Sequence, residues 1–191
     1  MIEYIVGLGN PGPSYVFTRH NVGFLFLDHL CSKKHCGEWR DMGSYLLNSA
    51  EIFDRELHLV KPTTFMNLSG RAVLDLTRRD LIASDDLIVV HDDVAIPLGR
   101  FRIRRSGSDG GHNGMKSVIN ALGTKDIPRI RIGIGPKRED MSLVDYVLSE
   151  FSDDEFARIH RVFDVVIEAL EVIIEDGIEK AMSLYNSIEV I

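Results

Sequence analysis

The sequence predicts an α/β fold, a single domain over residues 1–191 in which a twisted, mixed β-sheet is flanked by helices on both faces. Strand-like runs alternate with helical patterns, turn signals separate them, and 191 residues suffice for one domain with its own core. Apolar residues make up 45% and charged residues 27%, an ordinary globular composition. No run of about 18 apolar residues occurs, so we expect no membrane span.

Six stretches predict strands because they are short, apolar or alternating, and bounded by turn residues. Residues 2–8 lack the basic region of a signal peptide and end at a dense turn signal, Gly9-Asn10-Pro11-Gly12-Pro13. Two strands, 44–49 and 55–61, flank a polar turn at Phe53-Asp54-Arg55. The others are the buried-looking run Leu87–His91 and two runs that alternate arginine with apolar residues, 100–105 and 129–134.

Five stretches predict helices from their apolar spacing. The first runs from Asn21 to about His35, the second follows residues 63–70 and reaches about Ile82, and the third is Gly114–Leu122. The longest begins at the capping box Ser152-Asp153-Asp154-Glu155, in which Ser152 is the N-cap, and ends at Gly177. A last short helix is predicted over residues 178–188.

Two cysteines, Cys31 and Cys36, form no disulfide framework and predict a reducing, cytoplasmic compartment. With His35 they invite a comparison with metal ligands. Residues 35 and 36 point about 100° apart on a helix, however, and no fourth ligand follows at suitable spacing. We interpret the two cysteines as ordinary buried or half-buried side chains.

The charge of the chain is strongly uneven. Residues 100–138 contain ten Lys or Arg against two acids, an excess of +8 in a chain whose net charge is −7. The remainder therefore carries −15, and residues 139–191 alone contain fourteen acids and three bases. The basic stretch predicts a binding surface for a polyanion, which the acidic C-terminal segment would avoid.

The segment Gly7-Leu8-Gly9-Asn10-Pro11-Gly12 resembles a dinucleotide fingerprint only superficially. Pro11 removes an amide donor, and the acidic partner of a ribose is not placed after a second strand. A simple turn explains the glycines. It explains Asn10 less well, because ligands of open α/β sheets bind at the carboxyl ends of strands.

Four polar side chains indicate a hydrolytic centre beside the basic stretch. We expect His20, in a polar loop before a helix, to be accessible and to titrate near neutral pH. Asp92 leaves a core strand, so it needs a partner such as an imidazole. Asn67 and Asn113 precede helices, where they could be caps or could donate to an oxyanion or a phosphate.

Each of these side chains alone has an inert interpretation. Together they predict a His–Asp centre in which water attacks, since no GxSxG nucleophile motif occurs and no HExxH-like spacing indicates a metal.

Six motifs together resemble the bacterial peptidyl-tRNA hydrolase family, in the family's order and spacing. They are Val6–Gly12, Tyr15, Thr18–Gly23, Lys61–Gly70, His91–Asp93 and Gly110–Gly114. The resemblance implies a cytoplasmic monomer whose partner is peptidyl-tRNA. It implies cleavage of the ester between the peptide and the 3′-terminal ribose, which frees the tRNA for translation, without a metal or a cofactor.

The resemblance also implies roles for individual residues. His20 matches the general base, Asp92 the carboxylate that steadies it, and Asn10 the residue that senses the blocked amino end of the substrate. The implied substrate-binding and tRNA-binding residues are Tyr15, Phe65, Met66, Asn67, Asn113, Arg104, Arg105, Lys116 and Arg131. The segment 105–109 departs from the commoner basic, glycine-rich pattern, and Asp109 places an acid beside the groove.

Two alternatives stay open from the residues. An RNA-binding module of the same fold could have lost catalysis, although such a module would not need both His20 and Asp92. A nucleotide-dependent oxidoreductase would need the dinucleotide fingerprint that Pro11 disfavours.

Overall fold

A computed structural model describes residues 2–52, 54–137 and 139–190 of the chain. Seven strands form one mixed sheet in the order β2-β3-β4-β1-β5-β7-β6, which confirms the predicted fold class. The four central strands β4, β1, β5 and β7 run parallel, whereas β2, β3 and β6 pair antiparallel with their neighbours. The strands are β1 Tyr4–Gly7, β2 Arg40–Asp41, β3 Tyr45–Ile52, β4 Arg55–Pro62, β5 Leu87–Pro97, β6 Phe101–Arg104 and β7 Arg129–Gly135.

Helices cover both faces of the sheet, as predicted. They are α1 Val22–Lys34, α2 Ser69–Asp80, α3 Asn113–Leu122, α4 Leu143–Leu148, α5 Asp153–Asp176 and α6 Ile178–Tyr185. One core cluster joins α1 and α5 to the sheet, and the other joins α2 and α3 to its opposite face. Because side chains alternate along a strand, Ile5 enters the first cluster while Tyr4 and Val6 enter the second.

Two glycines allow helices to approach closely. A Cβ on Gly23 in α1 would lie 2.4 Å from the Leu8 nitrogen and 2.5 Å from the Val90 oxygen, so α1 rests on the backbone of the sheet. A Cβ on Gly70 in α2 would lie 2.1 Å from the Ser117 oxygen of α3. Such distances leave no room for a side chain.

Several predicted boundaries are wrong by a few residues. β5 continues from His91 to Pro97 because it pairs with β7 as far as Pro97 and Gly135, so Asp92 and Asp93 lie within the strand. The short elements β2 and α4 were not predicted, since two or six residues carry little periodicity. The last helix ends at Tyr185 instead of 188. In the predicted turn at Phe53-Asp54-Arg55, Phe53 lies outside the described residues.

The predicted capping box is confirmed, because Ser152 Oγ accepts from the Glu155 amide and Glu155 accepts from the Ser152 amide. Cys31 and Cys36 are free and half-buried, as interpreted. Within the described ranges, none of the helices has the length and apolar character needed to cross a membrane.

The C-terminal segment closes the β6 edge of the sheet. The Asn186 side chain accepts from the Ile103 amide at 2.7 Å and donates to the Ile103 carbonyl at 3.2 Å. The Val190 amide donates to the Gly99 carbonyl at 2.8 Å, and Arg100 pairs with Glu189. The residues after α6 therefore satisfy backbone groups that an edge strand would otherwise leave open.

The sheet order creates a cleft at the carboxyl ends of the parallel strands. After β1 the chain crosses to α1 on one face, and after the neighbouring β4 it crosses to α2 on the other face. Adjacent strands whose connections diverge in this way leave a crevice between them. The segments after β1 and β4 meet there, and Asp92 within β5 contacts the segment after β1 through His20.

Candidate active site

The loop after β1 fixes Asn10 at the base of the crevice. The Asn10 amide donates to Asn21 Oδ1 at 2.8 Å, and Asn21 Nδ2 donates to the Asn10 carbonyl at 3.0 Å. The Asn10 side-chain Oδ1 accepts from the Met66 amide of the segment after β4 at 2.8 Å. Because its oxygen is occupied, Asn10 has its Nδ2 group left to donate to a ligand.

His20 lies on a 3-10 turn, Arg19–Asn21, that leads directly into α1. Its Nδ1 is 2.8 Å from Asp92 Oδ1 on β5, so the structure brings together the two residues that the sequence paired. The expectation that His20 is an accessible loop residue is wrong: it is 8% exposed because the turn packs it against β5.

Asp92 has a second imidazole partner that sequence reasoning missed. His112 Nε2 also lies 2.8 Å from Asp92 Oδ1, and the His20 and His112 rings are 4.8 Å apart. His112 Nδ1 accepts from the Met115 amide at 3.1 Å, so His112 is the N-cap of α3. An N-cap was considered for Asn113, but Asn113 is the first helical residue. The signal was available, since His112 stands inside the Gly110–Gly114 motif.

These contacts determine the tautomer of each imidazole. A carboxylate only accepts, so His20 donates from Nδ1 and keeps a lone pair on Nε2, whereas His112 donates from Nε2 and accepts at Nδ1. His91 donates from Nδ1 to the Asp92 carbonyl at 2.8 Å. His91 Nε2 also has no hydrogen-bond partner among the described residues, but it is buried and His91 does not line the cavity beside Asp92, whereas His20 does.

The charges shift the pKa values in opposite directions. Burial lowers the pKa of His20, but the charge and hydrogen bond of Asp92 outweigh it and raise that pKa above its ordinary value. Burial raises the pKa of Asp92, but the two histidines outweigh it and hold that pKa far below the ordinary range. Burial, followed by the charge of His112, lowers the pKa of His91 well below its ordinary value, so His91 stays neutral. The crevice thus combines a firmly ionised carboxylate with an imidazole of raised basicity.

A cavity of about 110 Å³ opens over this pair. Its lining includes His20, Asp92 and His112, and also three apolar side chains of α4: Leu143, Val144 and Val147. A much larger cleft of about 840 Å³ lies at the amino ends of β1, β5 and β7, and Arg105 is the one predicted site residue among those lining it. The fixed tautomers and shifted pKa values are found at the smaller cavity, which makes it the candidate active site.

A model of the peptidyl-tRNA hydrolase family matches residues 4–190. The chain belongs to the peptidyl-tRNA hydrolase family. It is 58% identical over 186 residues to "Peptidyl-tRNA hydrolase" of Thermotoga sp. (strain RQ2), covering 97% of this chain and 98% of that relative. The corresponding protein of Thermotoga maritima is 57% identical at the same coverage. A solved peptidyl-tRNA hydrolase from Acinetobacter baumannii superimposes with a TM-score of 0.91 at 28% identity, over 98% of this chain and 96% of that one. The family resemblance read from the motifs is confirmed.

In this member of the hydrolase family, the predicted aromatic and amide side chains come from the segments after β1 and β4 and from the start of α3, and of these Asn113 lines the cavity. Tyr15 and Phe65 meet edge to face at 6.3 Å, and Phe65 is 53% exposed. Asn67 and Asn113 are exposed as well. Met66 differs from the prediction that it lines the cleft: its side chain is buried in the core, where Gly114 approaches it, and its amide holds Asn10.

The four predicted tRNA-binding bases lie in three places. Arg104 and Arg131 line a cavity of about 170 Å³ together with His91 and the loop 106–110. Lys116 is exposed on α3. Arg105 instead pairs with Glu179 at 3.2 Å beside the distant cleft. Arg138, at the end of the basic stretch, lies outside the described residues.

Arg129, which the sequence placed on the same side of β7 as Arg131, is only 2% exposed. It donates to the carbonyls of Ile127, Ser108 and Lys125, so it supports the loop 106–110 from below. Arg131 forms an ion pair with Asp93 at 2.6 Å, and the carboxylate partly neutralises its positive charge.

Among the described residues, one group could be read as metal ligands, because its ligand atoms lie within 4.8 Å of one another: His20, Asp92 and His112. Both nitrogens, however, lie 2.8 Å from the same carboxylate oxygen, in the range of charge-assisted hydrogen bonds. Ligands about 2.0–2.1 Å from one tetrahedral metal would stand farther apart. The geometry fits a hydrogen-bonded triad.

Proposed function

We propose that this chain hydrolyses the ester between a peptide, or an N-blocked amino acid, and the 3′-terminal ribose of tRNA, with His20 as the general base. The observation that carries the proposal is the 2.8 Å contact between His20 Nδ1 and Asp92 Oδ1, which leaves His20 Nε2 as a lone pair in the cavity. Family membership supports the substrate class.

In the proposed reaction, His20 Nε2 accepts a proton from water while the water oxygen bonds to the ester carbonyl carbon. The negative charge moves to the carbonyl oxygen of a tetrahedral intermediate, and Asp92 stabilises the imidazolium that has formed. When the intermediate collapses, the bond between carbon and the ribose oxygen breaks and His20 returns its proton to that oxygen. The products are a peptide with a free carboxyl group and a tRNA with a free ribose hydroxyl.

Asn10 is proposed to select blocked substrates. Its oxygen is engaged by the Met66 amide, so its Nδ2 group can donate to the carbonyl of an amide in the substrate. A free ammonium group has no acceptor to offer. A site built for a specific hydrogen bond rejects a group that cannot make it, so ordinary aminoacyl-tRNA would be spared.

The aromatic, amide and basic side chains described above are proposed to bind the tRNA. Tyr15 and Phe65 offer faces for the terminal base or sugar, and Asn67 and Asn113 offer amide donors to the tRNA end or the reacting carbonyl. Arg104, Lys116 and Arg131 would contact backbone phosphates. We leave Arg105 out of this surface because it pairs with Glu179 beside the other cleft.

The chain is further proposed to act as one domain and as a monomer in the cytoplasm, where tRNA is used in translation. The single seven-stranded sheet supports the first point, and the nature of the substrate supports the compartment. Sedimentation equilibrium at assay concentrations would test the oligomeric state, and a dimer mass would contradict it.

Turnover of N-acetyl-aminoacyl-tRNA tests the proposal directly. We expect the wild-type chain to release free tRNA from the acetylated substrate and to spare the same tRNA carrying an unblocked amino acid. His20→Ala should abolish turnover while retaining affinity for uncharged tRNA. An RNA-binding module would instead bind tRNA without turnover in either protein.

A further inference from the structure

Arg19, the residue before His20, is a buried cation whose described side-chain contacts fall between residues 146 and 155. It is 7% exposed. Its NH2 group donates to Glu155 Oε2 at 2.7 Å, and its Nε donates to Ser149 Oγ at 3.2 Å. A buried guanidinium is costly unless paired, so Glu155 and Ser149 fix where it lies.

Two aromatic rings enclose the same guanidinium. Its central carbon lies 4.7 Å from the centre of the Tyr146 ring and 4.9 Å from that of Phe151. At these distances the ring faces attract a cation. The planar fork of arginine can stack on rings and donate at its edges simultaneously, which a lysine ammonium cannot do.

The backbone strengthens this link. The Arg19 amide donates to the Ser149 carbonyl at 3.0 Å, and Thr18 forms an antiparallel bridge with Glu150. Glu155 is also the N3 residue of the α5 capping box. The turn that carries His20 is therefore joined to the junction between α4 and α5 by both main chain and side chain.

The helix α4, which Arg19 contacts through Tyr146, also lines the candidate catalytic cavity. Tyr146 of α4 faces Arg19 and donates its hydroxyl to the Ile134 carbonyl. Leu143, Val144 and Val147 of the same helix line the cavity that His20, Asp92 and His112 also line. Leu143 and Val144 remain 46% and 62% exposed, so they offer apolar surface to whatever enters.

We infer that Arg19 is a positioning residue that sets the distance between the α4 wall and His20, and thereby selects for the side chain of the amino acid attached to the ribose. This inference rests on the proposed function. Apolar side chains that line the same cavity as the base would contact that side chain, because the side chain lies next to the reacting carbonyl. A bulky substrate side chain gains apolar contact with α4 only while α4 keeps its present distance from His20.

The test compares two esters on one tRNA, N-acetylglycyl and N-acetylphenylalanyl, with wild type, Arg19→Lys and Glu155→Gln. Glutamine keeps the capping box, so Glu155→Gln weakens the Arg19 contact without removing the start of α5. The matched control is Lys34→Gln, which breaks the ion pair between Lys34, at the end of α1, and Glu171 of α5.

We expect Arg19→Lys to lower kcat/KM for the phenylalanyl ester by about 10-fold or more, since misplacing a binding group by about 1 Å can cost 10²-fold. For the glycyl ester, the fold decrease in kcat/KM should be no more than about a third of that for the phenylalanyl ester. Glu155→Gln should act in the same direction, and the double variant should be no worse than Arg19→Lys, because both changes break one contact. Uncharged tRNA affinity and the pH of the acid limb should not move, and Lys34→Gln should resemble wild type.

Equal losses on both esters, or losses that follow the melting temperature alone, would overturn the inference and leave Arg19 a merely structural residue. Should Arg19→Lys fail to fold, Glu155→Gln alone decides between these outcomes through the ratio of the two esters. A wild-type protein that hydrolyses neither ester would instead contradict the proposed function.

Discussion

His20 and His112 donate to the same oxygen atom, Asp92 Oδ1, each from a distance of 2.8 Å. They come from different parts of the fold, one from the 3-10 turn before α1 and the other from the N-cap of α3. Because each imidazole spends its N–H on Asp92, the orientation of His20 depends on a carboxylate that a second ring also holds. Catalysis and the start of α3 are therefore coupled through one buried charge.

The activity of the wild-type chain should rise with pH. His20 must be neutral to accept a proton, and Asp92 raises its pKa above the ordinary value of about 6.5. The acid limb of kcat/KM for N-acetyl-aminoacyl-tRNA should thus have its midpoint above about pH 6.5. A rate that stays flat from about pH 5 to 8 would argue against His20 as the base.

Replacing Asp92 by Asn should move that limb to lower pH. The charge that raises the His20 pKa disappears, while the burial that lowers it remains. The plateau should also fall by about 10²–10⁴-fold, since an amide does not stabilise the imidazolium and can hold the wrong tautomer. Profiles of kcat/KM against pH measure both effects, and an upward shift of the midpoint would contradict the assignment.

Two substitutions at His112 should separate its roles. His112→Asn and His112→Ala both remove the imidazole Nε2–H that donates to Asp92, and kcat/KM should fall about 10-fold or more, because hydrogen bonds to charged groups contribute about 1.5–3 kcal/mol. Asparagine can still cap α3, whereas alanine loses about 1 kcal/mol of stability. Urea denaturation of the two variants provides the comparison. Full activity in His112→Asn would show that the contact with Asp92 is dispensable.

Gly23→Ala should destabilise the fold by about 1–3 kcal/mol, because the added methyl meets backbone atoms of Leu8 and Val90 at 2.4–2.5 Å. Gly37→Ala is the matched control, since a Cβ there meets nothing within 4 Å. Its stability should stay within about 0.5 kcal/mol of wild type. Thermal unfolding of both variants checks this, and equal melting temperatures would mean that α1 can move away from the sheet at no cost.

Arg104→Gln should weaken tRNA binding and reduce the slope of log affinity against log salt concentration by about 0.7–0.9, the value for one phosphate contact. Arg105→Gln should leave the slope unchanged, because Arg105 faces a different cleft and pairs with Glu179. Binding of uncharged tRNA at several salt concentrations separates the two. A loss of slope in Arg105→Gln instead would show that the basic surface extends around β6.

Most of the fold follows from local sequence signals. Periodicity and turn residues located six of the seven strands and five of the six helices, because those elements are long enough to show a pattern. The strand β2 and the helix α4 are too short for that, and tertiary contacts fix them. The Asp92 end of β5 was misjudged because acidic residues look like a loop until the pairing with β7 is known.

The contact between His20 and Asp92 could be predicted from the sequence, whereas contacts that depend on the packing of distant elements could not. His20 and Asp92 are separated by 72 residues, yet a buried-strand carboxylate requires a partner, so the pairing could be inferred. His112 looked like one more loop residue, since its contact with Asp92 arises only when α3 packs beside β5. The same holds for Arg19, whose partners lie 130 and 136 residues away.

The double hydrogen bond between Asn186 and Ile103 gives the last residues a protective task. A proteolytic cut just before residue 186 would bare the amide and the carbonyl of Ile103 on the outermost strand. Two cleaved molecules could then pair through their exposed β6 strands and aggregate, although every candidate catalytic side chain remained in place. Asn186 thus shields the backbone of the outermost strand, which also carries Arg102 and Arg104.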